Sequence, residues 1–242
     1  MVGIMGSRGS INGGVKKFAL VRLAAAAIAV ATFGTPVGLA AAESGGLSGD
    51  PDAAAQYWGR QRYDDCALMA VADVVGELTG NKPSEDEIIA LAGSIPNGRN
   101  SGPIYIVASD PAAVSGTVPR RNQLPVISDL PVLLGHYGVD SIHTNDLIAA
   151  NGGVPTGIPG LELLLADGKK VIASINGETI WDQAGDRTVH DHDVVVTGID
   201  TGTGIVHLND SAIPSPGPDS QVSIATFESA WRTSNHAMVV AG

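Results

Sequence analysis

Read for its alternation of apolar and polar positions, the chain divides into a helical half followed by a strand half. From Asp65 the residues Cys66, Met69, Ala70, Val74 and Leu78 recur at three- and four-residue spacing, the period of one helix face, until Gly80-Asn81-Lys82-Pro83 breaks the pattern. Ser84-Glu85-Asp86-Glu87 then has the form of a capping box, with Ser followed three residues later by Glu, and opens a second helix through about Ala92. Asp129 is placed to cap a third helix over Leu130–Tyr137, with Pro131 tolerated in its first turn, and Leu161–Ala166 is a fourth, closed by Gly168. Beyond this the period changes to two. Val171–Ile175, His192–Asp200, Ile205–Asp210 and His236–Val240 read as strands, with a short helix over Thr226–Trp231 before the last. Helices first and an antiparallel sheet second is an α+β arrangement.

Two stretches stand outside this pattern. Residues 93–128 are rich in Pro, Gly, Asn and Ser, with one strand-like run at Ile104–Val107, and read either as a surface excursion or as the wall of a cleft. At the N-terminus, Arg8, Lys16, Lys17 and Arg22 precede the apolar run Leu23–Phe33 and the small residues Gly38–Ala42, with no acidic residue until Glu43. This is the layout of a secretory signal, with cleavage expected after Ala42, and the apolar core is shorter than the ~20 residues a membrane span needs. The expected organisation is a signal over 1–42, a flexible leader over 43–55 and one domain over 56–242. The mature protein would be secreted or held in the cell envelope.

Charge narrows the partners. The whole chain carries 14 basic and 25 acidic side chains, and removing 1–42 takes away four basic and no acidic groups, so the formal charge falls from −11 to −15. Such a surface repels phosphate backbones and anionic headgroups, which argues against nucleic acid and membrane-surface partners.

The two central strands place a histidine and an aspartate. With Asp200-Thr201-Gly202 as a three-residue hairpin loop, Ile199 faces Thr203, Val196 faces Val206, Val194 faces Leu208, and His192 faces Asp210 at the end of one apolar face. A four-residue loop would instead bring Asp193 opposite Asp210 and remove the pair. His190 lies on the same strand side as His192 but beyond Asp210, and Asn209 points to the other face. Alternation also splits Asp191 from His190 and His192, so no metal site is expected.

The chain has one cysteine, Cys66. In an exported protein a lone cysteine has no partner for an internal disulfide, which makes catalysis a candidate role beside that of a small buried hydrophobe. In the first turn of a helix its thiolate would meet unpaired N–H groups and the positive end of the helix dipole, while Asp64 and Asp65 place negative charge beside it and work the other way. An imidazolium at His192, oriented by Asp210, completes a nucleophile, base and orienter set. Gln61, with the backbone N–H of Cys66, can donate to a developing oxyanion.

A glutamine shortly before a cysteine that begins a long helix, then His192-Asp193-Val194-Val195-Val196-Thr197-Gly198-Ile199-Asp200, Val206-His207-Leu208-Asn209-Asp210 and Thr226-Phe227-Glu228-Ser229-Ala230-Trp231, resembles the C39-like peptidases of the papain-like superfamily. The resemblance covers residues 56–241 and is carried by these four segments. It implies a papain-like fold, with N-terminal helices packed on a C-terminal antiparallel sheet. It also implies Cys66 as nucleophile, His192 as base and acid, Asp210 as orienter and Gln61 in the oxyanion hole, with no metal or organic cofactor. The chain departs from the family pattern in having Ala67-Leu68 after the cysteine, Gln61 five positions before Cys66 rather than six, and Ser211 after Asp210. The implied activity is cleavage of a peptide or amide bond in a peptide or protein substrate through a Cys66 acyl-enzyme. Acyl transfer on the same scaffold and a catalytically inactive secreted binding protein are the alternatives.

Overall fold

The computed structural model describes residues 46–99, 102–107, 124–213 and 217–242; the signal segment 1–42 and much of 93–128 lie outside them. Residues 47–55, expected to lie in a flexible leader, are instead built into the fold. Strand β1 (Leu47–Gly49) pairs antiparallel with the chain at Gly198–Asp200, and helix α1 (Pro51–Ala55) follows, capped by the Asp50 carboxylate on the N–H of Ala53.

Helix α2 (Cys66–Thr79) ends at Gly80, whose φ of 75° is the left-handed stop that glycine takes readily. It is buried continuously from Ala67 to Gly76, so the stripe read from the sequence understates it: this is a central helix, covered on all sides, with Leu78 emerging at its exposed end. Helix α3 (Glu85–Ser94) starts with both halves of the Ser84 and Glu87 capping box formed. Helix α4 (Leu130–His136) follows a 3₁₀ turn over Ile127–Asp129. Asp129 does not cap it, because its Oδ1 accepts from the N–H of Gly98, 3.0 Å away. Ile104–Val107 is not a strand. Its N–H groups at Ile104 and Tyr105 bond back to Ile95 and Ala92, and both side chains enter the core beneath α3.

The second half supplies β2 (Ser141–Thr144), α5 (Asp146–Ala150), α6 (Gly157–Ala166), β3 (Lys170–Ile175), α7 (Gly177–Ile180), β4 (His192–Asp200), β5 (Ile205–Asn209), β6 (Ser220–Ser223), α8 (Ile224–Trp231) and β7 (Met238–Ala241). The seven strands form one antiparallel sheet in the order β2-β7-β3-β4-β5-β6, with β1 on the far half of β4. Helices cover both faces. Ile172, Val195 and Val239 pack under α2, α3 and α4, while Val171, Val194, Val196 and Val240 pack with Phe227 and Trp231 of α8 and Leu161 of α6. Burial on both sides is why β3 and β7 are apolar almost throughout rather than alternating. No helix among the described residues is long and apolar enough to cross a membrane.

The β4–β5 register differs from the one read from the sequence. The turn spans four residues, 201–204, so that Asp200 faces Ile205 and Ile199 faces Val206. Left alone, this offset would put His192 and Asp210 on opposite faces. A bulge between Val196 and Gly198 gives β4 one extra residue, after which Val196 faces Leu208 and Val195 faces Asn209. The side-chain parity is thereby restored, and His192 and Asp210 meet diagonally rather than directly opposed.

Candidate active site

Cys66 is the first residue of α2 and is half-buried in a cleft of about 560 Å³. Gln61, Asp64, His192 and Asp193 line the same cleft, with Leu124–Ile127 forming an apolar wall and Trp181 and Ala212 closing another side. The structure therefore brings Cys66, His192 and Gln61 to one cavity, with Asp210 behind His192.

The imidazole is fixed from several directions. His192 Nε2 lies 2.8 Å from Asp210 Oδ1, with both residues buried. The other carboxylate oxygen, Oδ2, accepts from Trp181 Nε1 at 2.9 Å, and Oδ1 also accepts from the N–H of Ala212 at 2.9 Å. Trp58 Nε1 donates to the Asp210 carbonyl at 2.7 Å, and the Trp181 ring sits 4.9 Å from the His192 ring. With Nε2 committed to Asp210, Nδ1 is the nitrogen left for the thiol. Burial by itself would lower the His192 pKa, but the negative charge of Cys66 and hydrogen bonds to Asp210 and Cys66 prevail and raise it well above the ordinary imidazole value. Burial would likewise raise Asp210, yet the hydrogen bond and charge of His192, with the donors Trp181 and Ala212, hold it below the usual carboxylate range.

The loop before Cys66 is anchored at both ends. Gln61 N–H donates to the Ser211 carbonyl at 3.0 Å, Ser211 Oγ donates to Gln61 Oε1 at 2.8 Å, and Gln61 Nε2 donates to the Tyr63 carbonyl at 2.7 Å. One N–H of the Gln61 amide is thus engaged locally, and Nε2 carries a second. Arg62 pairs with both Glu85 and Asp86 at the start of α3. Asp65 occupies the N-cap position of α2 without capping it. Its carboxyl is buried with neither oxygen hydrogen-bonded, and burial, reinforced by the negative charge of Glu85, pushes its pKa up to about 7. Around neutrality Asp65 therefore carries much less negative charge beside the cysteine than its sequence position suggests.

Of the competitors identified in the sequence, His190 also borders the cleft, but it is exposed, with Nδ1 3.5 Å from the Thr233 carbonyl rather than on a carboxylate, and Asn209 donates to the Ala54 carbonyl at 3.0 Å. Among the described residues no group of three or more His, Cys, Asp and Glu side chains is arranged to hold a metal ion. Sequence reading misses Trp181, which stands 29 residues before its partner Asp210. A faint signal is the spacing of Gly177 and Trp181, since a Cβ at 177 would come within 2.8 Å of the indole.

The fold carrying this site is papain-like. The chain superposes on a crystal structure assigned as a C39-like peptidase from Bacillus anthracis with a TM-score of 0.53, covering 76% of this chain and 93% of that one at 15% identity. No family model matches the sequence. The uncharacterized proteins Rv1268c of Mycobacterium tuberculosis (strain H37Rv) and Mb1299c of Mycobacterium bovis are each 45% identical over 224 residues, covering 89% of this chain and 94% of theirs. The chain belongs to the family of these mycobacterial proteins.

Proposed function

We propose that this protein is an exported thiol hydrolase that cleaves a peptide or amide bond in a peptide or protein substrate. The observation that carries the reading is the meeting of Cys66, at a helix N-terminus, with a His192 held by Asp210 in one cleft. In this reading 1–42 is a signal removed on export and 56–242 is the catalytic domain. The Cys66 thiolate attacks the carbonyl carbon, and its oxygen takes the charge, received by the N–H of Cys66 and the second N–H of the Gln61 amide. The His192 imidazolium gives its proton to the departing amine, leaving a thioester on Cys66. His192 then removes a proton from water, which attacks the thioester and frees the acid and the Cys66 thiolate beside the imidazolium. Asp210 keeps Nδ1 aimed at the sulfur throughout.

The test is the rate of Cys66 alkylation by iodoacetamide against pH, in the wild type and in His192→Ala. A thiolate and imidazolium pair keeps the wild-type rate high well below pH ~7, and the rate there collapses in the variant. Rates that climb together toward pH ~8.5 in both proteins overturn the reading.

A further inference from the structure

A second cavity lies behind one wall of the cleft. Trp181 and Ala212, which close the cleft on the Asp210 side, also line this cavity of about 470 Å³. Its apolar lining comes from Ile180 at the end of α7, Ile213 and Val222 of β6, and Gln183, Ser220 and Gln221 complete it. No charged side chain lines it among the described residues. The first cavity is different: Asp64, Asp191, Asp193 and Arg99 all border it. In a chain as acidic as this one, an uncharged cavity joined to the cleft through two shared residues is a distinct chemical environment.

We infer that this second cavity is a subsite for an apolar side chain of the substrate on the leaving side of the scissile bond. The inference rests on the hydrolase reading. In that chemistry the sulfur stays with the acyl half and the imidazolium protonates the departing amine, so the residues that follow the scissile bond run past His192 and over Trp181. The Trp181 indole is held there by its bond to Asp210 Oδ2 and by its contact with the His192 ring, which makes it a fixed sill between the two cavities. The substrate is then an extended polypeptide with a Leu-, Ile- or Phe-like residue soon after the cut. A terminal amide with nothing beyond the nitrogen leaves this cavity unused.

By microscopic reversibility an amine attacking the thioester occupies the place of the amine that leaves, so acceptor choice reports on the subsite without a known substrate. The enzyme is acetylated with p-nitrophenyl acetate: Cys66 sulfur bonds the acetyl carbon and p-nitrophenolate departs. Leucinamide or glycinamide then competes with water. The amine nitrogen bonds the acetyl carbon, its proton passes to His192 and the thiolate is released. Leucinamide is expected to capture acetyl roughly tenfold better than the less hindered glycinamide at equal concentration, as filling a hydrophobic subsite provides. Ile213→Asn and Val222→Asn, both half-buried positions, should each bring the ratio toward one, the amplitude of the p-nitrophenolate burst still counting one acetyl per Cys66. A normal burst with equal capture of the two amines, or variants that keep the preference, overturns the subsite alone. No burst that depends on Cys66 overturns the hydrolase reading and the subsite with it.

Discussion

Asp65→Asn isolates the cost of burying a carboxyl beside Glu85. The wild-type carboxyl is fully buried, neither oxygen is hydrogen-bonded, and its pKa is pushed from 3.8 to about 7. Because the folded chain holds this proton more tightly than the unfolded chain, folding is favoured most at low pH. Stability drains away as pH rises from about 4 to about 7. The full gap corresponds to about 4 kcal/mol, and relaxation of protein and solvent around the charged form reduces the expectation to about 2 kcal/mol. Somewhat more than half of this falls between pH 5 and pH 8, or about 1 kcal/mol. Urea unfolding of wild type and Asp65→Asn at both pH values gives the difference of differences. Asp73, also raised to about 7, titrates identically in both proteins and cancels. The expected result is a variant that gains about 1 kcal/mol on the wild type between pH 5 and pH 8. A stability difference that stays constant within ~0.3 kcal/mol across that range refutes the reasoning, since Asp65 would then titrate as an ordinary carboxylate.

Other perturbations follow from the same geometry. In Gly177→Ala the new Cβ would lie 2.8 Å from the Trp181 ring, so the indole must leave Asp210 Oδ2, and Cys66 alkylation at pH 6 is expected to slow several-fold with little loss of stability. Asp210→Asn removes one of the interactions that raise His192, so the alkaline end of the window in which His192 is protonated should move to lower pH; an unchanged alkylation profile would show that Asp210 does not act on the imidazole. Lys82→Met leaves the buried Asp73 carboxylate without its ion pair and frees the Tyr57 carbonyl, with an expected loss of about 3 kcal/mol at pH 8 by urea unfolding, shrinking toward pH 5 as Asp73 takes up a proton.

What could be read in the sequence was what local chemistry determines. The capping box at Ser84 and Glu87 has both of its bonds, because each partner is three residues away on the same turn. The start of α2 at Cys66, the stop at Gly80 and the long strands also stand close to where the pattern puts them. The misses share a different cause. Leu47–Gly49 is three residues long and becomes a strand through pairing with Gly198–Asp200, some 150 residues later in the chain. Ile104–Val107 has strand composition but no strand neighbour, and its apolar side chains fill the space below α3 instead. In the site, the loop chemistry of Asp200–Gly204 favoured a short turn, and nothing local announces the bulge that follows it. Trp181 on Asp210 and Glu85 beside Asp65 are likewise contacts between segments distant in sequence.

The extra residue in β4 works as a phase corrector. Strand pairing transmits any odd change in a turn to every side chain downstream, so the length of the distal loop would ordinarily dictate which side of the sheet faces Cys66. Here the offset introduced at residues 201–204 is cancelled at Thr197, before it reaches His192. The turn can therefore gain or lose residues in pairs without disturbing the far end of the hairpin. Were Thr197 to pair with Leu208 as an ordinary ladder residue, the strand beyond it would turn over and offer Asp193, in place of the imidazole, to Asp210.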